Sequence, residues 1–168
     1  SEEEIQNKIK VLAPEIEKRF PADEELYVIC VLKGSAMFTV DLIKHFKHDI
    51  QCEFIRISSY GHEMRSTNNL QAIDLTLPDL HQKNVLIVED IIDTGLTARF
   101  LTDLFKIKHQ PKTLTFVTLL NKKCARQIDI EPDFYGFEID NKFVVGYGLD
   151  YKKTITHLIN NEGIKYLI

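Results

Sequence analysis

Four short apolar runs constrain this chain more than any other feature: LYVICVL at 26–32, CEFIRIS at 52–58, VLIV at 85–88 and LTFVTLL at 114–120. They are rich in branched residues, and LYVICVL is apolar throughout, the pattern of a strand buried on both faces of a parallel sheet. Between them the apolar period changes to three or four residues, in AMFTVDLIKHF (36–46) and TARFLTDLFKIK (97–108). Parallel strands need crossover connections, so this alternation predicts an α/β domain with a mostly parallel central sheet flanked by helices. The opening segment places Ile5, Ile9, Leu12, Ile16 and Phe20 on one helical stripe, which predicts an amphipathic helix capping a sheet face, with Pro14 as a place to bend.

Two stretches break the alternation. SSYGHEMRSTNNLQ (58–71) is polar and aperiodic, and a loop of that length in a compact domain is either a lid or a loose surface hairpin. Beyond residue 121 short apolar runs mix with aromatics and turns, which predicts a small subregion beside the main sheet. A chain of 168 residues with 44% hydrophobic content has material for one domain with a substantial core. The net charge of -4 gives no basic field for nucleic acid or anionic lipid, which favours a small-molecule partner. With no long apolar span and no signal-like N-terminus, the expected setting is soluble and cytoplasmic. Cys30, Cys52 and Cys124 are odd in number and far apart, so they are expected to be buried thiols without a catalytic role.

The chemistry concentrates in VLIVEDIIDTGLT (85–97), where Glu89, Asp90 and Asp93 crowd the end of an apolar strand. Like charges at that spacing repel, and burial strengthens the repulsion, so something must be bound there. Ligands of open parallel sheets sit beyond the carboxyl ends of the strands. Here the backbone from Asp93 through Thr94, Gly95 and Leu96 to Thr97 leads into a helix and can ring an anion with amides and hydroxyls. Neither GxxxxGK[ST] nor GxGxxG occurs, which argues against triphosphate hydrolysis and dinucleotide binding. Carboxylates beside such a cradle must face either a divalent cation or a diol. A sugar phosphate satisfies both halves, its phosphate on 93–97 and its hydroxyls on Glu89 and Asp90. Helix capping by the acids is the competing reading.

This stretch resembles the signature of the type I phosphoribosyltransferases. LKGS at 32–35, SY at 59–60, LLNKK at 119–123 and PDFYGFEIDNKFVVGYGLDY at 132–151 extend the resemblance to the hypoxanthine-guanine branch of that family over nearly the whole chain. The resemblance implies the type I fold over 1–168, with a hood for the base drawn from roughly 1–20 and 122–168 and a flexible lid at 58–71. It implies a purine-salvage transferase that joins hypoxanthine or guanine to 5-phosphoribosyl 1-pyrophosphate with magnesium, giving the nucleoside monophosphate and pyrophosphate, and that assembles as a homodimer or homotetramer.

By the same resemblance Asp93 is the general base toward the purine, and Glu89 and Asp90 hold the ribose hydroxyls. Lys33 and Gly34 offer amides to pyrophosphate across a cis Leu32–Lys33 bond, and Ser59 and Tyr60 open the lid. Lys122 donates to the 6-oxo group, Phe143 stacks on the purine, the Val144 backbone reads its edge, and Asp150 lies near the exocyclic amine. Glu89, Asp90 and Asp150 form the implied metal set. One departure stands out: Ile155 and Thr156 occupy places where the family carries an aromatic and a pyrophosphate-contacting arginine, with Lys152 and Lys153 available to compensate. Two other readings compete, a catalytically weak sensor of phosphoribosyl pyrophosphate or purine nucleotide on the same fold, and a flavodoxin-like phosphate-binding signalling domain.

Overall fold

The computed structural model describes residues 1–59, 70–74, 76–151, 154–155 and 163–167; the side chains of 58–59, 70–74, 150–151, 154–155 and 166–167 lie outside that description. Helix α1 spans Glu2–Glu17, β1 Leu26–Leu32, α2 Ala36–Ile43, β2 Ile50–Ser59, β3 Leu70–Asp74, β4 Asn84–Ile92, α3 Leu96–Leu104, β5 Thr113–Asn121 and β6 Phe134–Glu138. Four shorter strands follow: β7 Phe143–Gly146, β8 Asp150–Tyr151, β9 Thr154–Ile155 and β10 Ile164–Leu167. The central sheet has six strands in the order β3-β2-β1-β4-β5-β6. Every pairing in it is parallel except β2 with β3.

Side chains of alternate parity along the inner strands feed two cores, one on each face. Leu26 and Val28 of β1 join Leu86 and Val88 of β4 beneath α1 and α2, while Ile29, Val31, Val85 and Ile87 meet Leu101 and Phe105 on the side of α3. This explains why 26–32 and 85–88 read as unbroken apolar runs: both parities are buried. Burial of α1 through Ile5, Ile9, Leu12 and Ile16 fits the sheet-capping role expected for it, and the helix continues past Pro14 to Glu17.

Several elements differ from what the sequence predicts. Strand β4 runs on to Ile92, so Glu89 and Asp90 lie within the sheet and not beyond its end. The register pairs Glu89 with Thr118 and Ile91 with Leu120, and it is this ladder that carries the acids. Strand β6 belongs to the central sheet, paired with β5, although its residues fell in the subregion expected for 122–168; its aromatic-rich run is an edge strand. With α1 on the main core, the structure places β7 and β10 together in a separate two-stranded sheet. The helix expected over 97–108 ends as α3 at Leu104 and continues as a π-turn through Phe105–His109, closed by Gln110 in the left-handed region. Of the cysteines, Cys30 is buried, Cys52 half-buried and Cys124 exposed, so burial holds for the first and fails for the last.

Candidate active site

At the carboxyl end of β4 the chain turns sharply into α3. Gly95 has φ 86°, a left-handed conformation that side chains rarely adopt. A Cβ there would lie 2.7 Å from Ile130 Cγ2, so the position needs glycine for space as well. A cavity of about 280 Å³ is bounded by Glu89 through Gly95 together with Thr97 and Ala98. The turn 93–97 lies at the start of α3, where unpaired amides and the helix dipole favour an anion. Thr94 is partly engaged locally, its Oγ1 accepting a long 3.4 Å bond from the Leu96 amide.

The acidic pair divides between the two faces of the sheet. Asp90 lies against the turn after β1: a Cβ on Gly34 would stand 1.9 Å from Asp90 Oδ2, so the Lys33–Gly34 backbone and this carboxylate approach as only glycine allows. The Leu32–Lys33 bond is cis, as the resemblance implied. Glu89 is buried, and its Oε2 has no hydrogen-bond partner among the described residues. Burial pushes its carboxyl well above the ordinary range and the neighbouring Asp90 charge adds to the rise, while Arg126 opposes both. An orphaned carboxylate in such a place is stabilised by what it binds, a hydroxyl or a hard cation.

A second cavity, about 190 Å³, adjoins the first and shares Asp90, Ile91 and Asp93 with it; Lys122, Lys142, Phe143, Val144 and Leu149 complete its lining. Lys122 follows β5 and is buried, and its Nζ donates to Asp93 Oδ2 at 3.4 Å. Phe143 is 52% exposed and Val144 only 8%, so an aromatic face borders the opening while the backbone behind it is fixed in β7. The turn after β7 is pinned to α2, where the Tyr147 hydroxyl donates to Asp41 Oδ2 at 2.6 Å. Burial and the Asp41 charge push the Tyr147 phenol up, keeping it a donor.

Of the residues singled out from sequence, Glu89, Asp90, Asp93, Thr94, Gly95, Thr97, Lys122, Phe143 and Val144 thus surround two contiguous cavities, with Gly34 against Asp90. Leu96 is buried in the first turn of α3. Lys33 lies in the turn after β1 and is half-buried. Ser59 ends β2 and Asp150 begins β8, each with its side chain outside the description. Tyr60, the rest of the expected lid through residue 69, Lys152, Lys153 and Thr156 lie outside the described residues. Among the described residues no group of three His, Cys, Asp or Glu side chains is placed to hold a metal ion; of the implied set of Glu89, Asp90 and Asp150, the Asp150 side chain lies outside the description.

Arg126 escaped the sequence reading. Its Nη1 donates to the carbonyls of Ile92 and Asp93, both at 2.7 Å, its Nε to Ile130 O at 3.0 Å, and its Nη2 to Asn121 Oδ1. No spacing signal could have found it, because its partners are mostly backbone oxygens and the turn it holds lies more than 30 residues earlier.

Residues 1–152 match the family described as the phosphoribosyl transferase domain. A hypoxanthine-guanine phosphoribosyltransferase from Bacillus subtilis is 42% identical over 94% of this chain and 87% of its own length. The chain belongs to the hypoxanthine-guanine phosphoribosyltransferase family. Solved structures agree: a hypoxanthine-guanine phosphoribosyltransferase from Bacillus anthracis superposes with a TM-score of 0.90 at 43% identity, covering 100% of this chain and 96% of that one. The hypoxanthine phosphoribosyltransferase of Trypanosoma cruzi, in complex with the product IMP, gives 0.87 at 36% identity, with 100% and 91% covered.

Proposed function

We infer that the chain is a purine-salvage enzyme that transfers 5-phosphoribosyl from 5-phosphoribosyl 1-pyrophosphate to hypoxanthine or guanine, forming the nucleoside monophosphate and releasing pyrophosphate. The observation that carries this reading is the pairing of Lys122 with Asp93 at the junction of the two cavities. A buried ammonium beside an aromatic edge is suited to a carbonyl oxygen on a planar base, and the adjoining carboxylate is suited to a ring proton.

In this reading the phosphate of the sugar rests on the amides and hydroxyls of 93–97, and the ribose hydroxyls donate to Glu89 and Asp90. Breaking the bond to pyrophosphate leaves positive charge on the sugar, and the acidic end of β4 lends the opposing potential. The purine stacks on Phe143 with its 6-oxo group on Lys122 and its edge on the Val144 backbone. Asp93 accepts the proton from the imidazole side as the new glycosidic bond forms. The amides of Lys33 and Gly34 take the pyrophosphate, with Ser59 and Tyr60 closing over the site and Asp150 near the exocyclic amine of guanine.

Magnesium belongs to the same proposal. Glu89, with its orphaned oxygen, and Asp90 supply the hard oxygen donors such an ion takes, with Asp150 the third member of the set. When bound, the ion neutralises the pyrophosphate charge. We further propose a homodimer or homotetramer, Met37, Val40 and Phe54 being large apolar side chains left 45–51% exposed, and a cytoplasmic setting. Among the described residues no helix is long and apolar enough to cross a membrane.

The sensor reading has less support, since the relatives are named as transferases and the site retains both the base-reading lysine and the carboxylate beside it. Pyrophosphate release measured with magnesium and phosphoribosyl pyrophosphate, with and without each purine, tests the assignment. Release that depends on hypoxanthine or guanine is expected. Tight binding of phosphoribosyl pyrophosphate with no purine-dependent release would return the chain to the sensor class.

A further inference from the structure

Three consecutive carbonyls, of the last residue of β4 and the first two of the turn into α3, are all bound from one side. Ile92 O accepts from the Lys122 amide at 3.0 Å and from Arg126 Nη1, Asp93 O accepts from the same Nη1, and Thr94 O accepts from the amides of Gln127 and Ile128 at 3.0 and 3.3 Å. In a trans peptide the C=O and the following N–H point in opposite directions. Carbonyls gathered toward 122–130 therefore turn the amides of Asp93, Thr94 and Gly95 the other way, toward the cavity. Arg126 is the side chain in this clamp, and its arm also abuts the turn, with Cδ 3.4 Å from where a Cβ on Gly95 would lie. Its remaining donors fasten it to Asn121 and Ile130, so the guanidinium is fixed before it fixes anything else.

We propose that Arg126 is the positioning residue of the phosphate cradle: it holds the Ile92 and Asp93 carbonyls back and so aims the turn's amides at the 5'-phosphate. This role rests on the reading of 93–97 as that cradle. In this role Arg126 acts through the backbone, its donors being spent on the Ile92, Asp93 and Ile130 carbonyls and on Asn121. A lysine in its place keeps the charge but cannot reach the carbonyls of 92, 93 and 130 and the Asn121 amide from one planar fork.

The test compares two ligands of the one site. Binding of ribose 5-phosphate and of magnesium pyrophosphate is measured by titration calorimetry for the wild type, Arg126→Lys, Arg126→Met and Thr97→Val, with melting temperatures recorded alongside. Arg126→Met is expected to weaken ribose 5-phosphate at least tenfold, and Arg126→Lys by a smaller factor, while pyrophosphate changes by less than twofold in both. If Arg126→Met does not fold, Arg126→Lys decides by the same ratio. Equal weakening of both ligands means that the clamp is merely structural, and overturns the proposal. If Thr97→Val weakens ribose 5-phosphate and the Arg126 variants do not, the cradle stands and the role of Arg126 falls. If none of the variants weakens it, the cradle reading itself falls, and this role with it.

Discussion

The two cavities are built by different means. The one against β4 and α3 is shaped at its far end by backbone, a turn whose Ile92, Asp93 and Thr94 carbonyls are engaged and a glycine at φ 86°, with the Glu89 and Asp90 carboxylates at the other. The one against β7 is made of side chains, Lys122, Asp93 and Phe143, projecting from three separate segments. Backbone cradles suit a group present in every substrate, since amides recognise phosphate without discriminating what is attached to it. Side-chain pockets suit the part that varies, where one donor or acceptor decides the choice. In this account the phosphoribosyl half is held generically and the base half selectively, and the halves meet at Asp93.

The largest effect should come from that meeting point. Asp93→Asn keeps the shape and removes the proton acceptor, so turnover should fall by roughly 10²–10⁴ with phosphoribosyl pyrophosphate binding nearly intact. Near-normal turnover in the folded variant would mean that the halves are joined elsewhere.

Next comes the backbone half. Gly34→Ala introduces a Cβ 1.9 Å from Asp90 Oδ2, which forces either the turn or the carboxylate to shift. Overpacking of this kind costs about 1–3 kcal/mol of stability, and displacing the turn or the carboxylate by about an ångström should lower kcat/KM for phosphoribosyl pyrophosphate by up to roughly a hundredfold. A loss confined to the purine would show that the cavities are coupled more tightly than the contrast allows.

Lys122→Met addresses the base half alone. Losing a donor to the 6-oxo group should lower kcat/KM for hypoxanthine by roughly tenfold or more, a charged hydrogen bond contributing about 1.5–3 kcal/mol, with the KM for phosphoribosyl pyrophosphate little changed. Steady-state kinetics with each substrate varied in turn separates the two.

The smallest expected effect is on stability. The Glu89 carboxyl is raised in the folded chain by burial and by Asp90, so the native state holds its proton more tightly than the unfolded state does. Stability should therefore decline as pH rises from the ordinary carboxylate range through the raised folded value. Glu89→Gln removes that decline: without magnesium or substrates, the variant should melt above the wild type at neutral pH, the gap closing as pH falls into the ordinary carboxylate range. A gap that does not depend on pH would show that Glu89 is not what the native state strains to bury.

The same contrast explains what could be read from the sequence. Strands β1, β4 and β5 were legible because both parities are buried along most of their length, which leaves apolar runs, and β2 because branched apolar residues recur in it around the buried Ile55. The acidic turn was legible because charges at a strand end conflict with burial. The extension of β4 through Glu89 and Asp90 was not, since two carboxylates read as the end of a strand when only their polarity is considered. Strand β6 was hidden by its position, an edge strand with exposed Tyr135 and half-buried Phe134 and Phe137 giving no long apolar run. Lys122 and Phe143 came only from family resemblance, because a lone lysine or phenylalanine carries no spacing of its own. Arg126 and the Tyr147–Asp41 pair were invisible because they bind across more than 30 and 100 residues of sequence.

The most direct test of a selective base half is a competition. The wild-type enzyme, saturated with magnesium and phosphoribosyl pyrophosphate, is given equal hypoxanthine and adenine, and the nucleotides formed are separated by chromatography. Adenine presents a donor where hypoxanthine presents the 6-oxo acceptor, which leaves the buried Lys122 ammonium facing an unmatched group. Inosine monophosphate with essentially no adenosine monophosphate is the predicted result; comparable amounts of the two nucleotides would contradict it.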